Sequence, residues 1–351
     1  MDLETLRLRA RVLSGLRRFF AARGFLEVDT PLLAPWLIPE ASLEVFAVAG
    51  RPGPLYLVPS PELWMKRLLC AGSGSIFQLC RCFRSAEPPA AMHLPEFTML
   101  EWYAVGADYL DNLETQEELI AELCGELALG TTLRVGQNEV DCRPPFLRLS
   151  MAEAFHEHLG FDLGEGLRRG SLAREAQARG LEVTGGDSPG DLFHKLYLGF
   201  VEPCLPRHKP VFLTDYPAVV PTLAKVPPGS PWAQRWELYL GGVEIANCYT
   251  EESDARRVEA FFRSQEAAKA SAIQPHPTDW ALADLLPEHL PACSGVALGV
   301  DRLLAVLVDA PGIAGVTPFA LPKLGPRPGA GPDTPGEAGD PGGTEDSVGP
   351  A

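Results

Sequence analysis

The sequence predicts an α+β fold in which mostly antiparallel strands are flanked by helices. An amphipathic helix opens the chain, short strands recur along it, and a tight hairpin lies in its second half. Short runs of apolar and polar residues in alternation, bounded by Gly, Pro or Ser, indicate strands. Such runs lie at 55–59, 76–83, 97–105 and 211–216. Because no internal repeat is present, we expect one folded domain over residues 1–324.

Helical spacing of apolar residues marks the other elements. Leucines and Phe20 recur at this spacing over 5–23, with arginines on the opposite side, and Gly24 ends the helix. We expect a second helix near 112–128 and a mostly helical stretch over 150–205. The segment 294–310 predicts a strand that passes through a glycine into a helix.

Composition distinguishes a packed body from a tail. The 351 residues are 46% hydrophobic, as in ordinary globular proteins. Residues 325–351 are instead rich in Gly, Pro and acids, and they cannot bury enough apolar surface to offset their ordering entropy. We expect this tail to be disordered. The chain has 46 acidic and 30 basic residues, a net charge of −16. This charge argues against extensive contacts with the phosphates of a nucleic acid.

Cysteines and termini indicate the compartment. The eight cysteines form no C-x-x-C pair, so a structural zinc site has little support. The N-terminus carries acids where a secretory signal carries bases, and no apolar run approaches the roughly 20 residues of a membrane span. We therefore expect a cytoplasmic chain with reduced thiols and no membrane partner.

The hairpin over 236–247 brings two carboxylates together. With a two-residue Gly-Gly turn, Leu240 pairs with Val243, Tyr239 with Glu244, and Glu237 with Ala246. Glu237 and Glu244 then share a face, with Cβ atoms roughly 7–8 Å apart. A hard cation such as Mg²⁺ that bridges phosphate oxygens would fit between them. The alternative is a solvated face with two ordinary surface acids.

The segment 77–103 could clamp a nucleotide. One strand ends at Arg84, a Pro-rich loop follows, and the next strand begins at Phe97. A guanidinium can hold a phosphate by two hydrogen bonds while an aromatic ring stacks on a base. Phe97, Met99, Glu101 and Tyr103 share one face of that strand. The alternative is a solvated loop with a structural arginine.

A glycine-rich turn over 295–302 forms a third candidate. Small residues let a ligand approach the backbone, and Arg302 falls in the first turn of the following helix. The guanidinium and the positive helix end could hold an anion together. Simple packing of a strand on a helix is the alternative.

Taken in order, these segments resemble the class II aminoacyl-tRNA synthetase catalytic domain. "GFLEVDTPLL" (24–33) is similar to motif 1, "FRSAE…HLPEFTMLEWY" to motif 2 and "GVALGVDR" to motif 3. "SPELWMKRLL" (60–69) resembles lysyl-tRNA synthetases. Motif 1 comes almost at the start, which leaves no room before it for an anticodon-binding domain. The chain therefore most resembles their truncated paralogues, the elongation factor P–(R)-β-lysine ligases.

The resemblance implies ATP-dependent activation of (R)-β-lysine or lysine as an acyl-adenylate, followed by transfer to a lysine of elongation factor P. Catalytic roles fall on Arg84 at the α-phosphate and Arg302 at the γ-phosphate. Phe97 would stack on adenine. The implied ATP-binding residues are Arg84, Glu87, Phe97, Glu237, Leu238, Gly299 and Arg302, with Mg²⁺ on Glu237 and Glu244. The implied amino-acid site comprises Ser60, Pro61, Glu62, Tyr103, Glu244, Asn247 and Ala297. A homodimer through the motif 1 helix and no tRNA partner are also implied.

The chain departs from the family pattern at several positions. Ala86 stands where motif 2 has Glu, and Glu87 follows one residue later. Leu94 replaces an Asn, and Cys248 replaces a Gly. Strict alternation also puts Asn247 on the face opposite Glu244, so its role requires a bulge. Ala297, where the synthetases have Gly, would narrow the amino-acid pocket and favour a β-amino acid.

Two other functions remain open. One is an amino-acid activating paralogue with a different acceptor, such as a free amino acid or a carrier protein. The other is a non-catalytic regulatory protein that keeps the fold, although the retained charged residues of the three motifs argue against it.

Overall fold

The structure, a computed structural model, describes residues 3–50, 53–86 and 90–320. The helices in this part are α1 (Leu3–Ala22), α2 (Glu62–Cys70), α3 (Asp111–Glu126), α4 (Met151–Leu159), α5 (Leu163–Arg169), α6 (Leu172–Ala178), α7 (Pro189–Leu196), α8 (Ala255–Lys269), α9 (Trp280–His289) and α10 (Val300–Leu307). The strands are β1 (Leu26–Glu27), β2 (Leu33–Ala34), β3 (Ala47–Val48), β4 (Leu55–Leu57), β5 (Ile76–Phe83), β6 (Glu96–Val105), β7 (Thr132–Val135), β8 (Asn138–Asp141), β9 (Leu147–Ser150), β10 (Val211–Pro217), β11 (Trp232–Leu240), β12 (Val243–Thr250) and β13 (Cys293–Gly299).

The main sheet has eight strands in the order β1-β5-β6-β13-β12-β11-β10-β9. Its six central strands are antiparallel, as predicted, while β1 and β9 join the edges in parallel. The family resemblance implies an antiparallel sheet of six or seven strands, and the sheet differs from this by its eighth strand and by its two parallel edges. The two added strands are only two and four residues long, and such short segments lack a readable alternation.

One face of this sheet packs on α1, α3 and α10. Alternate residues of the strands point into this core, among them Trp102, Trp236 and Val296. Phe20 of α1 contacts Trp102 with ring centroids 5.0 Å apart. Because side chains alternate along a strand, their sequence neighbours face the other side of the sheet. That side carries the candidate site.

Two further clusters flank the site. The helices α4–α7 pack around Phe155 and Phe193 against β10 and Tyr239, so the predicted helical stretch over 150–205 is confirmed. A small sheet in the order β2-β4-β3 packs with α2, α8 and α9 around Leu37 and Phe262. No helix in the described ranges is long and apolar enough to cross a membrane. The predicted tail over 325–351 lies outside the described residues.

Candidate active site

A cavity of about 440 Å³ opens on the face of the main sheet opposite α1 and α10. Its floor is formed by β6, β12 and β13, and its walls by the loop before β3, the start of α2 and the loop before β6. Most of the predicted residues line it, namely Ser60, Glu62, Arg84, Phe97, Tyr103, Glu244, Asn247, Ala297, Gly299 and Arg302. The tertiary structure therefore gathers the three sequence segments into one site.

Arg84 and Phe97 meet at one end of this cavity. Arg84 directly follows β5 and Phe97 lies at the start of β6, and the two strands are antiparallel neighbours. The Arg84 guanidinium lies 5.2 Å from the centroid of the Phe97 ring. This pair has the spacing of a cation–π contact, and it presents a charge and an aromatic face together. Glu87 lies outside the described residues.

Arg302 is held at the same end by four hydrogen bonds. Its Nη1 donates to the Glu244 carboxylate at 3.0 Å and to the Glu244 carbonyl at 3.1 Å. Its Nε donates to the carbonyl of Met92 at 3.2 Å, and its Nη2 to the His93 Nε2 at 2.9 Å. Gly299 precedes α10 in extended conformation and brings this turn close to the cavity. His93 was missed from sequence, although it stands directly before the "LPEF" of motif 2.

The hairpin contains a β-bulge that sequence alternation cannot show. Tyr239 pairs with Glu244 and Leu240 with Val243, as predicted, but Glu237 pairs with Asn247 and not with Ala246. The extra residue in β12 is Ile245, whose side chain is buried in the core. The predicted Glu237–Ala246 register is therefore wrong, because the bulge turns Cys248 into the core and Asn247 and Tyr249 toward the cavity, faces that strict alternation from Glu244 would reverse.

The bulge places Asn247 on the site face. Its position opposite Glu237 puts it on the same side of the sheet as Glu244, as a role in the amino-acid site requires. Its Oδ1 accepts a hydrogen bond from Arg235 Nε at 2.8 Å. Leu238 points instead into the core with no exposure, so a contact with ATP could come only from its backbone.

The two hairpin carboxylates differ in accessibility. Glu237 is buried, and its oxygens accept hydrogen bonds from Arg235 at 2.7 Å, Tyr216 at 2.6 Å and Tyr239 at 2.9 Å. Burial and the nearby charge of Glu244 raise the pKa of Glu237. The Glu244 side chain is 38% exposed and lines the cavity.

These differences bear on the predicted metal site. The repulsion between the carboxylates would be relieved by a cation, which Glu244 could ligate from the cavity. Glu237 could reach that cation only by exchanging its contact with Arg235. The described residues contain no group of three or more His, Cys, Asp or Glu side chains arranged to hold a metal ion.

The opposite end of the cavity is an acidic chamber. We use this term for Glu62, Glu101, Tyr103, Tyr249 and Glu251 around Lys66. Lys66 is fully buried, and its Nζ lies 2.6 Å from a carboxylate oxygen of Glu62 and 2.6 Å from one of Glu251. The Tyr249 hydroxyl donates to Glu62 at 2.9 Å. Glu62, predicted to bind a substrate ammonium, therefore already shares one lysine with a second acid.

Glu101 lies beside this trio and forms no ion pair with any of the residues that the structure describes. Its nearest hydrogen-bond donor is the Tyr103 hydroxyl at 2.8 Å. Burial and the charge of Glu62 raise the pKa of Glu101 well above its usual value, and burial raises that of Glu251 to about 7. Burial lowers the pKa of Lys66, but the charges of Glu251 and Glu62 raise it more, so this amine stays protonated.

Ser60 and Pro61 precede α2 and bring Glu62 to the chamber. Ala297 lies on the floor, paired with Asn247 on one side and Glu101 on the other. The acids that sequence reasoning did not assign are Glu101 and Glu251. The face shared by Glu101 and Tyr103 could have indicated the first, whereas Glu251 follows a strand end and carries no signal of its own.

The family model for tRNA synthetases class II (D, K and N) matches residues 2–323. The chain belongs to this family. It is 35% identical to a lysine–tRNA ligase of Chloroflexus aurantiacus over 90% of this chain and 64% of that protein. It is 33% identical to one of a Synechococcus species over 94% and 66%. The chain thus spans about two thirds of the length of these ligases.

A second group of relatives is matched over nearly its whole length. An elongation factor P–(R)-β-lysine ligase of Salmonella enteritidis is 36% identical over 90% of this chain and 94% of that protein. One of Salmonella agona matches to the same extent. The resemblance to this group and the class II synthetase fold are therefore confirmed.

Proposed function

We propose that the protein activates (R)-β-lysine or lysine with ATP and transfers it to a lysine ε-amine of elongation factor P. The observation that carries this proposal is the acidic chamber at one end of a cavity whose other end presents arginines. Glu62 and Glu251 share the single charge of Lys66, and because the pKa of Glu251 is raised to about 7, a bound ammonium group would stabilise its ionised form. Glu101 adds a further acid. A buried site with surplus carboxylates fits a substrate that brings ammonium groups.

The opposite end fits a nucleotide triphosphate. Arg84 would hold the α-phosphate and Phe97 would stack on adenine, since the two already lie 5.2 Å apart. Arg302 would bind the γ-phosphate, with His93 beside it at 2.9 Å. Mg²⁺, bound by Glu244 and Glu237, would supply positive charge to the phosphate oxygens. Positioning and charge stabilisation would then provide most of the catalysis.

The reaction has two steps. In the first, a carboxylate oxygen of the amino acid attacks the α-phosphorus, the bond to the bridging oxygen breaks, and pyrophosphate leaves. In the second, the ε-amine of the acceptor lysine attacks the acyl carbon, loses a proton, and AMP leaves with the electron pair of the broken carbon–oxygen bond. Arg84 would stabilise the charge on the α-phosphate in both steps.

The acceptor is inferred from named relatives and from charge. The Salmonella relatives that are 36% identical to this chain are named elongation factor P–(R)-β-lysine ligases. Its net charge of −16 also disfavours a grip on tRNA phosphates. We further propose a cytoplasmic homodimer through the motif 1 region. Leu26, Leu32, Leu33 and Trp36 are all exposed there, a grouping of apolar residues that fits an interface.

The test is a pair of assays. ATP–pyrophosphate exchange with (R)-β-lysine and with lysine measures activation, and labelled amino acid with elongation factor P or lysine tRNA measures transfer. We expect exchange with at least one of the two amino acids and label on elongation factor P only. Exchange without transfer to elongation factor P would favour another acceptor. No exchange with any amino acid would favour the regulatory function.

A further inference from the structure

We propose that Glu40 is a specificity-determining residue that binds the substrate ammonium nearest the reacting carboxylate. This inference rests on the proposed function and adds a second acid site to the cavity. Glu40 lies on the loop between β2 and β3, lines the same cavity and is half-buried. Within the described ranges, no side chain donates a hydrogen bond to the carboxylate of Glu40.

The loop that carries Glu40 is fixed in place. The amide of Ala41, its neighbour, donates to Gln265 of α8 at 3.0 Å. The carboxylate of Glu44 accepts hydrogen bonds from the backbone amides of Ile273 and Gln274 at 3.0 and 3.1 Å. Lys269 donates to the Leu43 carbonyl. On the other side of Glu40, the amide of Leu37 donates to the Pro277 carbonyl at 3.1 Å, so the fold sets the position of Glu40 at the cavity.

The charges around Glu40 indicate what it binds. The charges that act on it are those of Glu62, Arg84, Lys66 and Lys269, and the Arg84 guanidinium lies 5.2 Å from the Phe97 ring, where the α-phosphate would take it up. Burial and the charge of Glu62 raise the pKa of Glu40 to about 7. Lys66 is already shared by Glu62 and Glu251, and Lys269 is also drawn to Glu44, 3.8 Å away. Glu40 and Glu62 thus form a pair of acids that a further ammonium would stabilise.

The place of this pair along the cavity assigns the two ammonium groups. The amide of Ser85, the residue after Arg84, donates to the Glu44 carbonyl at 2.9 Å, so the loop of Glu40 lies beside Arg84, where the α-phosphate and hence the reacting carboxylate would sit. Glu101 and Tyr103 are almost fully buried and lie deeper than the half-buried Glu40. A 3,6-diaminohexanoate or 2,6-diaminohexanoate chain would place its near ammonium at Glu40 and Glu62 and its distal ammonium at Glu101.

The test compares Glu40→Gln with Glu40→Asp and with Glu114→Gln, an exposed acid on α3 outside the cavity. Exchange is measured with whichever of (R)-β-lysine and lysine the wild-type protein activates. A lost charge-assisted contact should raise the KM for the amino acid at least about tenfold in Glu40→Gln. The KM for ATP should stay unchanged, Glu40→Asp should recover part of the loss, and Glu114→Gln should behave as wild type.

A competitor identifies the ammonium group. 6-Aminohexanoate lacks the near amine, so its inhibition constant should be the same in wild type and Glu40→Gln. An equal loss of affinity for 6-aminohexanoate would overturn the assignment, and so would a rise in the KM for ATP alone. An unchanged KM for the amino acid would refute the role of Glu40 while the proposed function stands. Wild-type protein that activates neither amino acid would overturn both, and thermal unfolding confirms that the variants fold.

Discussion

Removal of Lys66 tests the acidic chamber most directly. This side chain is fully buried and lies 2.6 Å from Glu62 and 2.6 Å from Glu251. Lys66→Met keeps most of the apolar stem but leaves two carboxylates without their cation. Removing one partner of a buried ion pair costs about 3–5 kcal/mol, a large share of the 5–15 kcal/mol typical of a folded domain. We expect a loss of this size in the free energy of unfolding at pH 8.

The loss should depend on pH with a definite sign. The pKa of Glu251 is already raised to about 7, and without Lys66 it should rise further. A carboxyl whose pKa is higher in the folded than in the unfolded protein stabilises the fold while protonated, and that stabilisation is lost as the pH rises. Between pH 8 and pH 6 the cost of the substitution should therefore fall by about 1–3 kcal/mol.

Urea denaturation at both pH values measures this effect, with Lys225→Met as the control. Lys225 is exposed and forms no ion pair among the described residues, so its replacement should change stability by less than about 0.5 kcal/mol. A cost below about 1 kcal/mol for Lys66→Met at pH 8 would show that the chamber is hydrated and screens its charges. An equal cost at pH 6 and pH 8 would show that the acids do not titrate as argued.

Three other perturbations follow from the site. Arg302→Ala removes a guanidinium and unpairs Glu244, so ATP–pyrophosphate exchange should fall roughly 10²-fold or more; activity above a tenth of wild type would contradict its role at the phosphates. In the buried core, Arg9 lies 2.5 Å from Asp301, and Arg9→Met removes this cation from the buried carboxylate. Urea denaturation should then show a loss of about 3–5 kcal/mol in the free energy of unfolding, and an unchanged midpoint would contradict this. Glu40 becomes neutral as the pH falls through about 7. The KM for the amino acid should therefore rise below pH 7 in wild type and rise less in Glu40→Gln. The same dependence of KM on pH in both proteins would exclude Glu40 as the titrating group.

Much of the site could be predicted because its parts are local in sequence. A strand end, a loop and a strand start put Arg84 and Phe97 together, and a glycine-rich turn put Arg302 at the start of a helix. The placement of Arg84 beside Phe97 requires only that the two neighbouring strands pair in antiparallel fashion. For the same reason β5 was predicted over 76–83, the range at which it is found.

The chamber could not be predicted in this way because its members are distant in the chain. Glu62, Glu101 and Glu251 come from a helix, a strand and a strand end, and each resembles an ordinary acid in sequence. Only the packing of α2 against the end of β12 brings Lys66 between two of them. The sequence therefore predicts Glu62 as a substrate-binding residue but does not show that Glu62 already binds Lys66.

Periodicity and short motifs predict the family, the antiparallel core of the sheet and the positions of the motifs, because both depend on neighbours along the chain. The β-bulge that brings Asn247 to the site face and the surplus of acid in the cavity are visible only in the folded chain. The bulge depends on which residues after Ile245 meet the core, and the charge of the chamber depends on which ions share a partner. Both are settled by contacts between residues far apart in sequence.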